Sequence, residues 1–470
     1  MRFLVLCCDY DGTLASDGQV LAPTVAALRR LVASGRRVVL VTGRELDDLK
    51  LVCPCLALFE YVVAENGALL YQPATGEETP LAPQPPESFI ATLRARGVGP
   101  ISVGRVIVAT WEPHEAAVLE TIKDQGLELQ VIFNKGAVMV LPAGVTKATG
   151  LRAALGRMRL SAHNAVGIGD AENDHALLRA CECGVAVANA LPTLKSEASF
   201  VTRADHGAGV AELIGELLAD DLASHEGDLT RHHILLGWDV AEHEIRISPY
   251  GENVLVLAPD GQHEPLYTGL LERLTEKNYT YCLLAGAPAR ELPAGVLALG
   301  TPERAPAAQE ILKLFQTPDQ SGRIDLSALS AAQQLAFLGE LLPRVQQLRA
   351  HLGRPHWLVL DGAEQLLEAV DERQAAAADL ESVLQIATRP ERVARWALQT
   401  VGLLILVGEA WQQRLQAFCE AAGMVVPAMG AIHLKPGEAL AWRPQDASAP
   451  FALRLPPRHW NRTEQSAARM

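Results

Sequence analysis

Short, continuously apolar runs alternate with stretches of helical spacing at the start of the chain: FLVLCC at 3–8, Pro23–Ser34, RRVVLVT at 36–42, Glu45–Val52, then EYVVAENG at 60–67. That alternation predicts parallel βα units. The runs are apolar throughout rather than at every second position, as in strands covered by helices on both faces, so a doubly wound sheet is expected. Gln72–Gln84 breaks into a Pro/Gly/Glu-rich stretch. Beyond it come a helical segment Glu87–Arg96, a strand SVGRVIVAT, a helix opening at Pro113 and two strands, LELQVIFN and AVMVL. This reads as an α+β insertion of about sixty residues. After Pro142 the βα pattern resumes with a helix from Thr146, the strand NAVGIGD, a helix Asp174–Ala180 and the strand GVAVA.

Residues 204–230 show little apolar periodicity after Leu218 and read as a linker. From His232 the strands NVLVLA, YTYCLLA, GVLALG, HWLVLD, SVLQIAT and VGLLILVG alternate with helices such as Tyr267–Glu276 and Ala331–Leu352, a second α/β pattern. Within the latter helix Leu335, Leu338, Leu341, Leu342, Val345 and Leu348 form a core-type stripe, and Pro343 is expected to kink or divide it. The end after Pro450 reads as a poorly ordered tail.

Length and composition fit this organisation. The 470 residues, 49% hydrophobic and 20% charged, suit about three folding units and exclude a wholly disordered or collagen-like chain. A formal charge of -14 disfavours nucleic-acid partners. No apolar run approaches the ~20 residues of a membrane span, so no membrane association and a cytoplasmic location are expected. The eight cysteines sit mostly inside apolar runs and read as buried reduced thiols.

Chemistry gathers at the ends of the predicted strands. Asp9 and Asp11 in CCDYDGTL stand two residues apart in extended chain, so their carboxylates point the same way at a strand's carboxyl end, where open α/β sheets bind ligands. Such a pair can hold a hard cation and leave one carboxylate free to attack phosphorus while the other manages protons. The run RRVVLV ends in Thr42-Gly43-Arg44, a hydroxyl with free backbone N–H groups. Lys147 opens a helix and offers an ammonium. NAVGIGD ends in Asp170, followed by Asn173 and Asp174, a second acidic cluster able to complete a cation site.

These segments resemble the haloacid dehalogenase superfamily, specifically its Cof-type, class IIB phosphatases: DYDGTL, VTGR, the Lys147 segment and GIGDAEND are similar to its four motifs in order, with AENGALLY and GVAVANALPTLK as further landmarks. The resemblance implies a Rossmann-like core at 1–80 and 145–222 and a C2B-type cap at 81–144. It implies Asp9 as the nucleophile that becomes an aspartyl-phosphate, Asp11 as general acid and base, and Thr42 and Lys147 as holders of the phosphoryl group. Gly12, Thr13, Gly43, Arg44 and Asn173 would contact phosphate or substrate. Mg2+ would be held by Asp9, the Asp11 backbone carbonyl and Asp170, with Asp174 in support. The implied substrate is a small phosphorylated metabolite, such as a sugar phosphate, with Arg44, Asn66, Asn134 and Lys135 near the leaving group. A phosphomutase of the same superfamily remains an alternative.

After a linker at 223–231, residues 232–450 resemble HerA/FtsK-like P-loop (RecA-type) ATPase domains, with 451–470 left as the tail. Against G-x-x-x-x-G-K-[ST] the chain reads Ala258-Pro-Asp-Gly-Gln-His263-Glu264-Pro265, so the second glycine, the lysine and the hydroxyl are all replaced. Glu264 would repel phosphates and Pro265 lacks an N–H for the anion cradle. Asp361 stands at the Walker B position, followed by Gly362 where a catalytic glutamate is expected. The expectation is a pseudo-ATPase with a structural or regulatory role, joining a protein partner or a second copy of the chain. An assembly scaffold or nucleic-acid-linked ATPase is the alternative from another class.

Overall fold

The computed structural model describes residues 1–134, 136–259, 264–286, 295–367, 381–430, 432–446 and 448–456. It divides into two compact units, Met1–Arg231 and His232–Met470.

In the first unit the apolar runs become the parallel strands β1 (Val5–Cys8), β2 (Arg37–Val41) and β3 (Tyr61–Ala64). An antiparallel hairpin follows, β4 (Leu69–Gln72) and β5 (Glu77–Pro80). Strand β5 falls in the stretch that reads as a break, because an edge strand with polar, largely exposed positions carries no apolar signal. The insertion holds β6 (Ser102–Val103), β7 (Val108–Trp111), β8 (Leu129–Asn134) and β9 (Ala137–Pro142), and the chain returns to the first sheet through β10 (Ala165–Gly169), β11 (Cys183–Ala186) and β12 (Phe200–Val201). The eight-stranded sheet runs β12-β11-β10-β1-β2-β3-β4-β5. Strand order reverses at β1, so the carboxyl ends of β10, β1, β2 and β3 lie side by side around the crevice where such sheets bind ligands. The residues just past those ends are Asp170, Asp9, Thr42 and Glu65.

Helices α1 (Ala22–Ala33), α2 (Leu46–Val52), α3 (Glu87–Ala95), α4 (Glu115–Asp124), α5 (Lys147–Met158), α6 (His175–Ala180), α7 (Pro192–Glu197) and α8 (His206–Asp220) complete the unit. Helix α8 corrects the linker expectation for 204–230: Val210, Leu213, Ile214 and Leu217 are buried at helical spacing, and α8 packs on α1. Residues 223–228 form a 3-10 turn, and Arg231 is tied to the Leu178 carbonyl at 2.8 Å. The insertion is a four-stranded antiparallel sheet, β6-β7-β9-β8, with α3 and α4 on one face. Period-two alternation along β9 sends Val138 and Val140 to those helices and Met139 and Leu141 to the opposite face. The single strand expected over SVGRVIVAT is two strands joined by a loop at 104–107.

Among the described residues the second unit holds an eleven-stranded sheet. Its centre is parallel and includes β15 (Asn253–Leu257), β16 (Tyr281–Ala285), β19 (Trp357–Asp361), β20 (Val383–Ala387) and β21 (Leu403–Leu406), in the order β21-β15-β20-β19-β16. Antiparallel strands β13 (Ile234–Trp238), β14 (Glu244–Ile247), β22 (Glu438–Trp442) and β23 (Phe451–Arg454) extend one edge. Strand β23 pairs with β22, so the tail expectation fails for 451–454, and the remainder of that segment beyond 456 lies outside the described residues. The helix Ala331–Leu352 is continuous through Pro343, so the proline does not divide it. Its stripe of Leu338, Leu341, Leu342 and Val345 lies in the core, and that burial outweighs one missing backbone hydrogen bond. Residues 260–263 of the degenerate loop lie outside the described residues, and the helix after it spans Glu264–Glu276. No helix among the described residues is long and apolar enough to cross a membrane.

Candidate active site

Asp9 follows β1 directly and is buried, with its backbone N–H bonded to the Ile168 carbonyl of β10. Lys147, at the first position of α5, is 1% exposed and its ammonium donates to Asp9 Oδ1 and to Asp174 Oδ1, each at 2.6 Å. Helix α5 starts there because Thr146 caps it, its hydroxyl accepting from the Thr149 N–H. Asp174 is in turn fixed by the backbone N–H groups of Asp170 and Ala171, both donating to Oδ2 at 3.0 Å. Thr13 donates to Asp170 Oδ1 at 2.9 Å. A lysine and three aspartates are thus locked together in the crevice.

Burial and the Asp174 carboxylate push the Asp9 carboxyl up from 3.8 to about 8, against the pull of Lys147. For Lys147, burial works against the charge, but the Asp174 and Asp9 carboxylates together hold its proton more tightly than usual.

Thr42 is buried at the end of β2, its hydroxyl accepting from the Arg44 N–H at 3.1 Å. Arg44 clasps Asp11 with two bonds, Nε to Oδ2 at 2.6 Å and Nη2 to Oδ1 at 2.7 Å. Its remaining nitrogen donates to Asp48 at 2.5 Å, and its guanidinium lies over the Tyr10 ring. Gly12 sits in the turn after β1 at φ +88°, its carbonyl accepting from Asn189. Asn173 donates to Asn66 Oδ1 at 3.0 Å. The structure therefore joins Asp9, Thr13, Lys147, Asp170 and Asp174 in one hydrogen-bonded cluster, with Asp11, Gly43, Arg44 and Asn173 lining the same cavity as Asp9. Thr13 faces Asp170, and Arg44 faces Asp11.

A cavity of about 630 Å³ opens over Asp9 and Asp11. Its floor includes Gly43, Arg44, Asp48 and Asn173, and its far wall comes from the insertion through Ile101, Ile107, Trp111, Asn134 and Met139. Lys135 lies outside the described residues.

A profile of haloacid dehalogenase-like hydrolases matches residues 6–105 and 100–214. The phosphoglycolate phosphatase of Methanothermobacter thermautotrophicus is 31% identical over 215 residues, covering 44% of this chain and 95% of that one. Phosphoglycolate phosphatase 2 of Saccharolobus solfataricus is 30% identical over 228 residues, covering 46% and 93%. The chain belongs to the haloacid dehalogenase-like hydrolases. This hydrolase is a phosphatase of the Cof type, and its matched region ends before the second unit begins.

Phosphatases of this family generally use Mg2+, and the donor set of the hydrolase fits a hard cation. Carboxylate oxygens of Asp9, Asp170 and Asp174 lie within 4.8 Å of one another, all three residues buried, and the Lys147 ammonium bonds Asp9 and Asp174. One residue beside the site escapes sequence reasoning: Glu65 binds the insertion through its carboxylate. Thr13, expected at the phosphate, donates its hydroxyl to an aspartate 157 positions away. The pocket wall is equally hidden, because Ile101, Trp111 and Met139 share no spacing and meet only when the insertion folds.

Proposed function

We propose that the chain is a Mg2+-dependent phosphomonoester hydrolase acting through an aspartyl-phosphate on a small phosphorylated metabolite, with the inserted sheet at 81–144 serving as a cap. The observation that carries this reading is the buried Asp9, joined to Lys147 at 2.6 Å and opening, with Asp11, on one cavity. In the proposed mechanism an Asp9 oxygen attacks phosphorus while the P–O bond to the leaving alcohol breaks, and Asp11 gives that alcohol its proton. Asp11 then takes a proton from water as the water oxygen attacks the phosphorus of the aspartyl-phosphate, which releases phosphate and returns Asp9. Lys147 and Thr42 hold the phosphoryl oxygens, and the fixed ammonium offsets charge that builds up in the transition state. Arg44 keeps Asp11 aimed at the leaving group. Mg2+ held by Asp9, the Asp11 backbone carbonyl and Asp170, with Asp174 behind them, would neutralise the repulsion between anionic nucleophile and anionic substrate.

For the leaving group, a hydroxyl-bearing one such as a sugar is favoured. Arg44 is the one cation among the described lining residues, and Asp11 and Asp48 already occupy it, whereas Glu45 and Asp48 add negative charge. A carboxylate-bearing leaving group, as in phosphoglycolate, would meet repulsion there. The names of the two relatives favour phosphoglycolate as the second reading. Phosphate release by the full chain from sugar phosphates, phosphoglycolate and nucleotides, with Mg2+ and with EDTA, tests both. Metal-dependent release is expected, faster from a sugar phosphate than from phosphoglycolate. No release from any of them would overturn the phosphatase mechanism, and product that retains the phosphate would indicate a mutase.

For the second unit we propose a P-loop-like domain that has lost nucleotide chemistry and acts in structure or regulation. Parallel strands β15, leading into the degenerate loop, and β19, ending in Asp361, open on the same edge of the sheet with β20 between them, which supports the reading. Calorimetric titration of the full chain with Mg-ATP is expected to show no micromolar binding, and Glu264→Lys alone is expected not to restore turnover. Micromolar binding would mean that the loop retains its cradle.

A further inference from the structure

The segment Glu65-Asn66-Gly67 immediately after β3 touches more of the site than its turn-like sequence suggests. Glu65 is fully buried, and its carboxylate accepts three backbone N–H groups from the loop between β6 and β7: Arg105 at 2.8 Å on one oxygen, and Val106 at 2.7 Å and Ile107 at 2.9 Å on the other. The preceding Gly104 makes this approach possible, since a Cβ there would stand 2.6 Å from Glu65 Oε1. On its other side the same turn is tied to the catalytic core. The Glu65 N–H donates to the Arg44 carbonyl, the Asn66 N–H to the Thr42 carbonyl, both at 2.9 Å, and the Asn66 side chain accepts from Asn173. At Gly67, with φ +107°, a Cβ would lie 1.9 Å from the carbonyl oxygen of Thr146, the residue that caps the Lys147 helix.

Glu65, Asn66 and Gly67 all have left-handed backbone, at φ +52°, +55° and +107°. Two consecutive non-glycine residues in that region are strained, and such strain persists only where surrounding contacts fix it. The exposed ties between insertion and core, Arg105 to Asp47 at 2.7 Å and to Glu78 at 3.1 Å, are of the solvent-screened kind that contributes little. The buried bond set is therefore the polar tie able to fix the insertion's position, beside the apolar cluster of Ala68, Val106, Ile107, Met139 and Leu141.

We infer that Glu65 is a positioning residue: its carboxylate docks the inserted sheet onto the core and so sets the pocket wall around Ile107 against the Thr42, Lys147 and Asn173 groups that share its turn. The inference rests on the reading of the inserted sheet as a cap over a phosphatase site. It makes Glu65 a determinant of leaving-group affinity without contact between Glu65 and substrate.

The test is Glu65→Gln in the full chain. Glutamine keeps the shape but turns one acceptor into an N–H donor facing backbone N–H groups, so at least one of the three bonds fails. Hydrogen exchange at residues 105–107 is expected to quicken about tenfold, the equivalent of one lost buried hydrogen bond. With 4-nitrophenyl phosphate and Mg2+, KM is expected to rise by a similar factor, while kcat and inhibition by inorganic phosphate, which needs only the core groups, hold steady. A merely structural role would instead move kcat, KM and phosphate inhibition together. Unchanged exchange at 105–107 overturns the inference. Should Glu65→Gln fail to fold, Gly104→Ala strains the same contact from the loop side and is read by the same exchange. Arg105→Ala, which removes only the exposed ion pairs, is expected to leave exchange and KM near wild type, and a shift as large as that of Glu65→Gln would move the latch to the ion pairs. If the wild-type protein hydrolyses nothing, the phosphatase reading falls while the exchange arm still decides whether Glu65 docks the sheet.

Discussion

Asp9→Asn is expected to lower phosphate release at least roughly a thousandfold while leaving the protein folded. The asparagine oxygen can still accept from the Lys147 ammonium that lies 2.6 Å from Asp9 Oδ1, so the packing and the ion pair's geometry survive. An amide, however, cannot displace an alcohol from phosphorus. Stability provides an independent readout. Because burial and the neighbouring Asp174 raise the Asp9 carboxyl to about 8 from an unfolded value of 3.8, ionised Asp9 is a burden to the metal-free fold. Its contribution is fully present below about pH 4 and is lost as pH rises through 8. Asp9→Asn lacks this titration, so its melting midpoint relative to wild type, in EDTA, is expected to climb between pH 5 and pH 8. Single-turnover phosphate release and calorimetric melts across that range check both parts. Turnover within tenfold of wild type would remove Asp9 as nucleophile, and a pH-independent difference in midpoint would mean that its carboxyl is not raised.

The four motif segments are legible in the sequence because each joins a continuously apolar strand to chemistry at its end, and strand ends in a doubly wound sheet converge by topology. FLVLCC followed by Asp9, and NAVGIGD ending in Asp170, need no distant information to be placed. What stays hidden depends on partners far along the chain. The Thr13 hydroxyl is expected at the phosphate, and its bond to Asp170 shows only once that residue stands beside it. Glu65 stands in the run EYVVAENG with no role visible, because its three partners come from a loop that the sequence presents as the middle of one strand. Helix α8 is missed for a different reason. Its glycines, Gly207 and Gly209, lower helix propensity near its start, yet they allow close approach to Thr24 and Thr202, so packing overrides propensity. In the second unit the apolar runs locate the strands, but which strand lies between β15 and β19 is a tertiary fact that no local pattern encodes.

Lys147→Met is expected to damage both stability and catalysis, more than any surface charge change in the first unit. The methionine fills much the same volume, so the loss is electrical. Asp9, Asp170 and Asp174 remain buried within 4.8 Å of one another without the ammonium that bridges two of them. Breaking a buried pair in this way costs about 3–5 kcal/mol, because a charge is left without its partner in low dielectric. The size of the penalty should follow pH in a defined direction. With the lysine gone, Asp9 is protonated more readily still, so the variant is hurt least near pH 5, where the carboxyl is neutral in both proteins, and increasingly as pH rises through 8, where wild-type Asp9 ionises against the ammonium. Mg2+ should restore part of the loss by supplying positive charge to the same carboxylates, and the melting transition it shifts identifies that of the first unit in scans of the full chain. Turnover is expected to fall about a hundredfold or more even with Mg2+ saturating, since the ammonium fixed by Thr146 and α5 is then missing from the phosphoryl oxygens. A destabilisation equal at pH 5 and pH 8 and indifferent to Mg2+ would assign Lys147 to packing alone. Wild-type kcat in the folded variant would separate it from the phosphoryl group altogether.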